Sequence, residues 1–188
     1  MITESSIVTP KFIELQPDWS RPVSVAMDFS TSIAESQSES RQRARWRKQP
    51  RYSLSYSLSV LTTTEFSARR SAIIGELQSP VVVPIWTDAF ELESMTSTHV
   101  ANLGESLAKK KFKVGSYAYF VQTGIVSTFR KITAISGTSL TFESATVPVF
   151  TSGATIYPCI FGQRPKDGAA FTANLIDQTD EQISIEEL

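Results

Sequence analysis

The chain has 188 residues, 41% of them hydrophobic, and a formal net charge of −1. That is room for one ordinary domain, or a domain with a small satellite, and near-neutrality excludes a global field pulling the chain toward nucleic acid or a membrane. A lone cysteine, Cys159, excludes an internal disulfide, and no apolar run approaches the ~20 residues of a membrane-spanning helix.

Met1 to Pro10 is polar and β-branched, with Glu4 where a secretory leader would carry positive charge. Val23, Val25 and Met27 then alternate with Ser24, Ala26 and Asp28, which predicts a strand with one buried face. Ile33 to Ser40 is polar and serine-rich and reads as a connection. Arg41, Arg43, Arg45 and Arg47 follow at every second position, so an extended chain puts them on one face. Beyond Pro50, Tyr52, Leu54, Tyr56, Leu58 and Val60 alternate with serines, the pattern of a long strand with one apolar face.

Thr62 and Glu65 form a capping box, in which hydroxyl and carboxylate satisfy orphan backbone donors. Phe66, Ile73, Ile74 and Leu77 fall on one side at helical spacing, predicting one principal helix near 64–77. Val81 to Trp86 is apolar but holds Pro84, which cannot donate to a ladder, so an edge strand, a bulge or an irregular extension is expected. Trp86 to Ala89 reads as a turn, and Phe90 to Glu93 as a further short strand.

From about Ser94 the texture changes to short strands punctuated by Gly115, Gly124, Gly137 and Gly153. The candidates are 112–114, 117–122, 127–135, 139–143 and 154–161, with a hairpin turn at Ser136-Gly137-Thr138. Strands this short and evenly spaced suggest a small barrel over 96–162. Phe171 to Ile176 and Gln182 to Glu186 read as a closing hairpin around 177–180.

The residues of most catalytic sites are missing, so the chain reads as no enzyme, without metal or cofactor. His99 is the only histidine and lies in a polar stretch, with no GxSxG element in the chain. One His and one Cys cannot build a zinc cage, and no GxxxxGK[ST] or GxGxxG loop is present. In the first half of the chain, Asp28, Asp88 and Glu91 are the acids near aromatic residues that an acid-pair hydrolase would use, although Asp88 equally suits a turn beside Trp86.

Charge is unevenly spread. Arg41, Arg43, Arg45, Arg47, Lys48 and Arg51 stand together with no acid among them, while the C-terminal segment carries Asp177, Asp180, Glu181, Glu186 and Glu187. Opposed strips of this kind let copies join head to tail and close into a ring. They make Arg41, Arg43, Arg45, Arg47, Arg51, Asp177, Asp180, Glu181 and Glu186 the candidate subunit-interface residues. The arginines with Trp46 also suit phosphates and a stacked base, but the neutral overall charge argues against nucleic acid. Lys109 to Lys111 and Lys113 read as a solvated loop, and Tyr52, Tyr56, Tyr117, Tyr119 and Phe120 as sheet core rather than a sugar groove.

Several patches resemble tail-tip and baseplate proteins of long-tailed bacteriophages, in particular the distal tail proteins. They are Pro17-Asp18-Trp19, Phe29 to Ile33, Arg41 to Trp46 and Pro50-Arg51-Tyr52, with Val83-Pro84-Ile85-Trp86, Gly153 to Pro158 and Gly162-Gln163-Arg164 further on. The stretch Ser36 to Ser40 departs from that group in having no glycine before the arginines. The resemblance implies a mainly β chain: a β-sandwich assembly domain from 1–95 and 163–188 with one helix, and a small inserted β-barrel at 96–162. It also implies a virion structural protein, assembled in the host cytoplasm, that forms a ring, commonly a hexamer, joining the tail tube to the hub or fibre apparatus. The alternative is a non-catalytic binding module, either an OB-like nucleic-acid binder or a carbohydrate binder.

Overall fold

The computed structural model describes residues 10–28, 31–35, 41–45, 51–60, 80–107, 111–145, 150–163, 171–173 and 179–187. The helix expected at 64–77 falls outside these residues, as do Arg47 and Asp177. Among the described residues the protein is mainly β and contains no helix. Thirteen of the strands in these residues form one mixed sheet, and the other two pair separately.

The alternating segment after Pro50 becomes β5 (Arg51–Val60). Its Leu54, Tyr56 and Leu58 are buried, while Ser53, Ser55 and Ser57 between them are half-buried. On one side β5 pairs with β2 (Ser24–Asp28), and on the other with β15 (Thr179–Glu187), both antiparallel. Of the apolar residues that predicted β2, Val23 and Val25 pack on the core, but Met27 is half-exposed near the strand's end. The C-terminal hairpin pairs β14 (Phe171–Ala173) with β15. Thr179 and Asp180, expected in its turn, already lie in β15, in register with Ala173 and Thr172.

The segment Val81–Pro84, β6, corrects an expectation. It is not an edge, because β13 (Thr155–Gln163) pairs along one side and β1 (Lys11–Phe12) runs parallel on the other. Pro84 is tolerated because it is the last residue of the strand, and β1 reaches only Val81 and Val82. A strand covered this way buries every side chain, as the unbroken apolar run Val81-Val82-Val83 requires. The expected turn follows, with the Asp88 amide donating to the Ile85 carbonyl at 2.9 Å.

The Gly-punctuated region forms β7 (Phe90–Glu91), β8 (Ser94–Ser97), β9 (Val100–Asn102), β10 (Tyr117–Gln122), β11 (Ile125–Ser136) and β12 (Ser139–Phe142). Gly137 takes a φ of +58° in the two-residue turn between Ser136 and Ser139, a conformation that favours glycine. Two expectations fail here. Residues 112–114 form no strand but lead irregularly into a turn at 114–115, with Phe112 buried, and the polar stretch around His99 contains the hairpin β8–β9. That hairpin is exposed along most of β8, so its residues lack the alternation that marks a half-buried strand.

Two hydrophobic clusters result. The first gathers Ile13, Leu54, Tyr56, Leu58, Val81 to Val83, Ile85, Trp86, Cys159 and Ile160. The second gathers residues from Phe90 to Ile156, with Phe142 and Phe150 both against Phe120. Strand β10 separates them, because its period of two sends Tyr119 into the first and Ala118 and Phe120 into the second. Phe90 and Leu92, which precede residue 96, lie in the second cluster, and β13 runs from one cluster into the other and past residue 162 without a break.

Candidate functional site

The basic stripe lies on a hairpin that leaves the main sheet and returns to the same point. Strand β2 ends at Asp28, whose register partner is Arg51, the first residue of β5. Between them β3 (Thr31–Glu35) and β4 (Arg41–Arg45) pair antiparallel, with Thr31 opposite Arg45 and Glu35 opposite Arg41. Among the described residues β3 and β4 pair only with each other. Arg41, Arg43 and Arg45 therefore occupy alternate positions of a two-stranded arm, and Arg51 stands exposed at its root.

The root holds a contact that nothing local in the sequence signals. Tyr52 lies under two ammonium groups, Lys113 Nζ at 4.7 Å and Lys111 Nζ at 5.8 Å from its ring centre. Such placement is favourable because the ring face carries negative quadrupolar charge. Lys111 Nζ also donates to Asp88 Oδ1 at 3.1 Å, and the Thr87 hydroxyl donates to the same oxygen at 3.1 Å. The lysines at 111 and 113, expected as a solvated loop, thus fasten the second region of the chain to the root of the arm. Lys109 and Lys110 lie outside the described residues.

The acidic strip is not a remote counterpart of this surface. Glu186 is in register with Ser53, two positions along β5 from Arg51, so one acidic end of β15 neighbours the root of the arm. Asp180 and Glu181 are in register with Ser59 and Leu58, toward the other end of the ladder. β15 has β5 along one side and β14 and β13 along the other, so it is an interior strand.

The residues weighed for chemistry are dispersed. His99 is exposed at the β8–β9 turn, with its Nδ1 3.1 Å from the Thr98 hydroxyl. Cys159 is buried in β13, and burial pushes its thiol well above the ordinary value, which holds it protonated and away from nucleophilic duty. Asp88 is the turn residue already described, while Asp28 and Glu91 are exposed on separate strands. No group of three His, Cys, Asp or Glu among the described residues could hold a metal ion.

The tyrosines serve the core. The Tyr56 hydroxyl donates to the Leu15 carbonyl at 3.1 Å. Tyr119 stacks on Phe129 with ring centres 4.3 Å apart, and burial raises its phenol, with Glu14 adding to the rise and Ser127 opposing it. Trp86 meets Tyr119 and Tyr157 edge-on, its indole N–H buried without a partner. Comparison with models of known protein families gives no match, and no curated protein matches the sequence either.

Proposed function

We propose that this chain is a structural subunit that assembles with copies of itself into a ring at the end of a phage-type tail, joining the tube to a hub or fibre apparatus. The arm carries this reading. A two-stranded hairpin outside the main sheet is marginal in water, and its open edges are a liability unless something covers them. A chain that sets such a hairpin aside, and places its arginines there, has a use for it in contacts between molecules. The finer architecture belongs to the same reading: a β-sandwich completed by β15 and a helix at 64–77, with a small barrel inserted from 96 to 162. The function is then mechanical, without turnover, in the virion.

Light scattering coupled to size exclusion, at low and high salt, tests it. The expected result is one discrete ring mass that loosens at high salt, because exposed charge contacts are screened. A monomer at every concentration and salt would sink the ring.

A further inference from the structure

We infer that the arm and its root are a docking site for an acidic, extended segment of a different polypeptide, which adds to the open edge of β4 as a third strand. The inference deepens the proposed function by naming the chemistry of a partner, and rests on the arm being an assembly element.

Three observations carry it. First, among the described residues β4 is paired along one side only, so its other edge offers backbone donors and acceptors at strand spacing. A polypeptide can satisfy both kinds of group, whereas the phosphates of a nucleic acid can accept from the amides but have no donor for the carbonyls. Second, Arg41, Arg43 and Arg45 recur with a period of two. A strand laid beside β4 shares that period, so acids at every second position of the newcomer fall next to the arginines as cross-strand pairs. Third, further cations lie near the root of the arm. Arg51 is exposed at the root, and Lys111 and Lys113, from the other half of the chain, gather on Tyr52 beside it.

The occupant is not a second copy in this conformation. Asp180, Glu181 and Glu186 of the acidic strand β15 already pair with β5 on one side and with β14 or β13 on the other, so the strand does not present these acids at an open edge. The partner is therefore an acidic strand from another component of the assembly.

The test is fluorescence anisotropy on the full chain, with a labelled peptide of about ten residues in which glutamate alternates with valine and threonine, the pattern of a one-faced strand. Three competitors accompany it: the same peptide N-methylated at alternate amides, a composition-matched peptide with its glutamates in one block, and oligothymidylate. The alternating peptide is expected to bind about tenfold tighter than either peptide control, because only it can both pair and match the charges. Binding is expected to weaken at high salt, to be lost with Arg41→Glu, Arg43→Glu and Arg45→Glu together, and to fall by a smaller factor with Lys113→Glu, which lies outside the arm. An unchanged circular dichroism spectrum shows that each variant folds. Equal binding of the N-methylated peptide overturns strand addition, and tighter binding of oligothymidylate assigns the surface to nucleic acid. Absence of peptide binding overturns the proposal outright. A ring that ignores the peptide removes this inference alone, whereas a monomer that binds it removes the ring alone.

Discussion

The two hydrophobic clusters differ in how far the chain must travel to build them. The second is drawn from Phe90 to Ile156, through the hairpins β8–β9, β10–β11 and β11–β12. The first joins Ile13 to Val82, Leu54 to the C-terminal strand, and Val83 to Ile160. A core made of neighbouring hairpins closes short loops, while one made from distant segments pays loop-closure entropy before any contact rewards it. The lesson is one of order: the local cluster can form first and present β10 and β13 as a template on which the first cluster condenses.

The largest expected effects test that order. Phe120→Ala, in the second cluster, should cost about 3–5 kcal/mol, and Leu54→Ala, in the first, about 2–5 kcal/mol. Stopped-flow folding separates them. Phe120→Ala is expected chiefly to slow folding and Leu54→Ala chiefly to speed unfolding. The reverse partition would break the comparison.

Alkali should act on the first cluster only. Cys159, Tyr119 and Tyr157 all lie in or against it, and burial is the leading cause that raises each. The folded state holds these protons more tightly than the unfolded chain. Their contribution is therefore complete below the unfolded values, about 8.5 for the thiol and about 10 for the phenols, and is lost as pH rises beyond them. Urea midpoints should fall above that first value, and Cys159→Ala should delay the fall to the phenol range. A midpoint that stays flat through alkaline pH in the unsubstituted protein would contradict the assignment.

Smaller changes probe the seams. Tyr56→Phe removes the hydrogen bond to Leu15 and should cost about 1 kcal/mol, read from equilibrium unfolding. Lys111→Ala should cost less than about 1 kcal/mol, since its ion pair with Asp88 is partly exposed, at 22% and 21% for the two side chains. A double-mutant cycle with Tyr52→Leu measures how much of that loss comes through the ring.

Much of the second region could be read from local pattern. Tyr117–Gln122 was expected at its observed bounds, and the turn at Gly137 with its flanking strands follows from one glycine between two alternating runs. The hairpin β8–β9 carries no such signal because β8 is exposed and polar and β9 has only three residues, too few for a hydrophobic alternation to show. In the first region, β5 announced itself through Tyr, Leu and Ser, but β6 was misjudged because one proline outweighed three valines. The candidate surface was half legible: the arginine period was plain, whereas the lysines on Tyr52 were not, because nothing in residues 111–113 names a partner so far away in the chain.

By itself the sequence determined that this is a mainly β chain, which positions of β5 are buried, where several turns fall and which strand carries the arginines. These follow from steric and hydrophobic preferences acting over a few residues. Only the tertiary structure decided that β6 lies inside the sheet, that β10 divides two cores, that the acidic strand is interior, and that lysines from one half gather on Tyr52 at the root of the arm. Those are choices of neighbour, and a strand's neighbours are selected by closure and packing over the whole chain rather than by its own alternation.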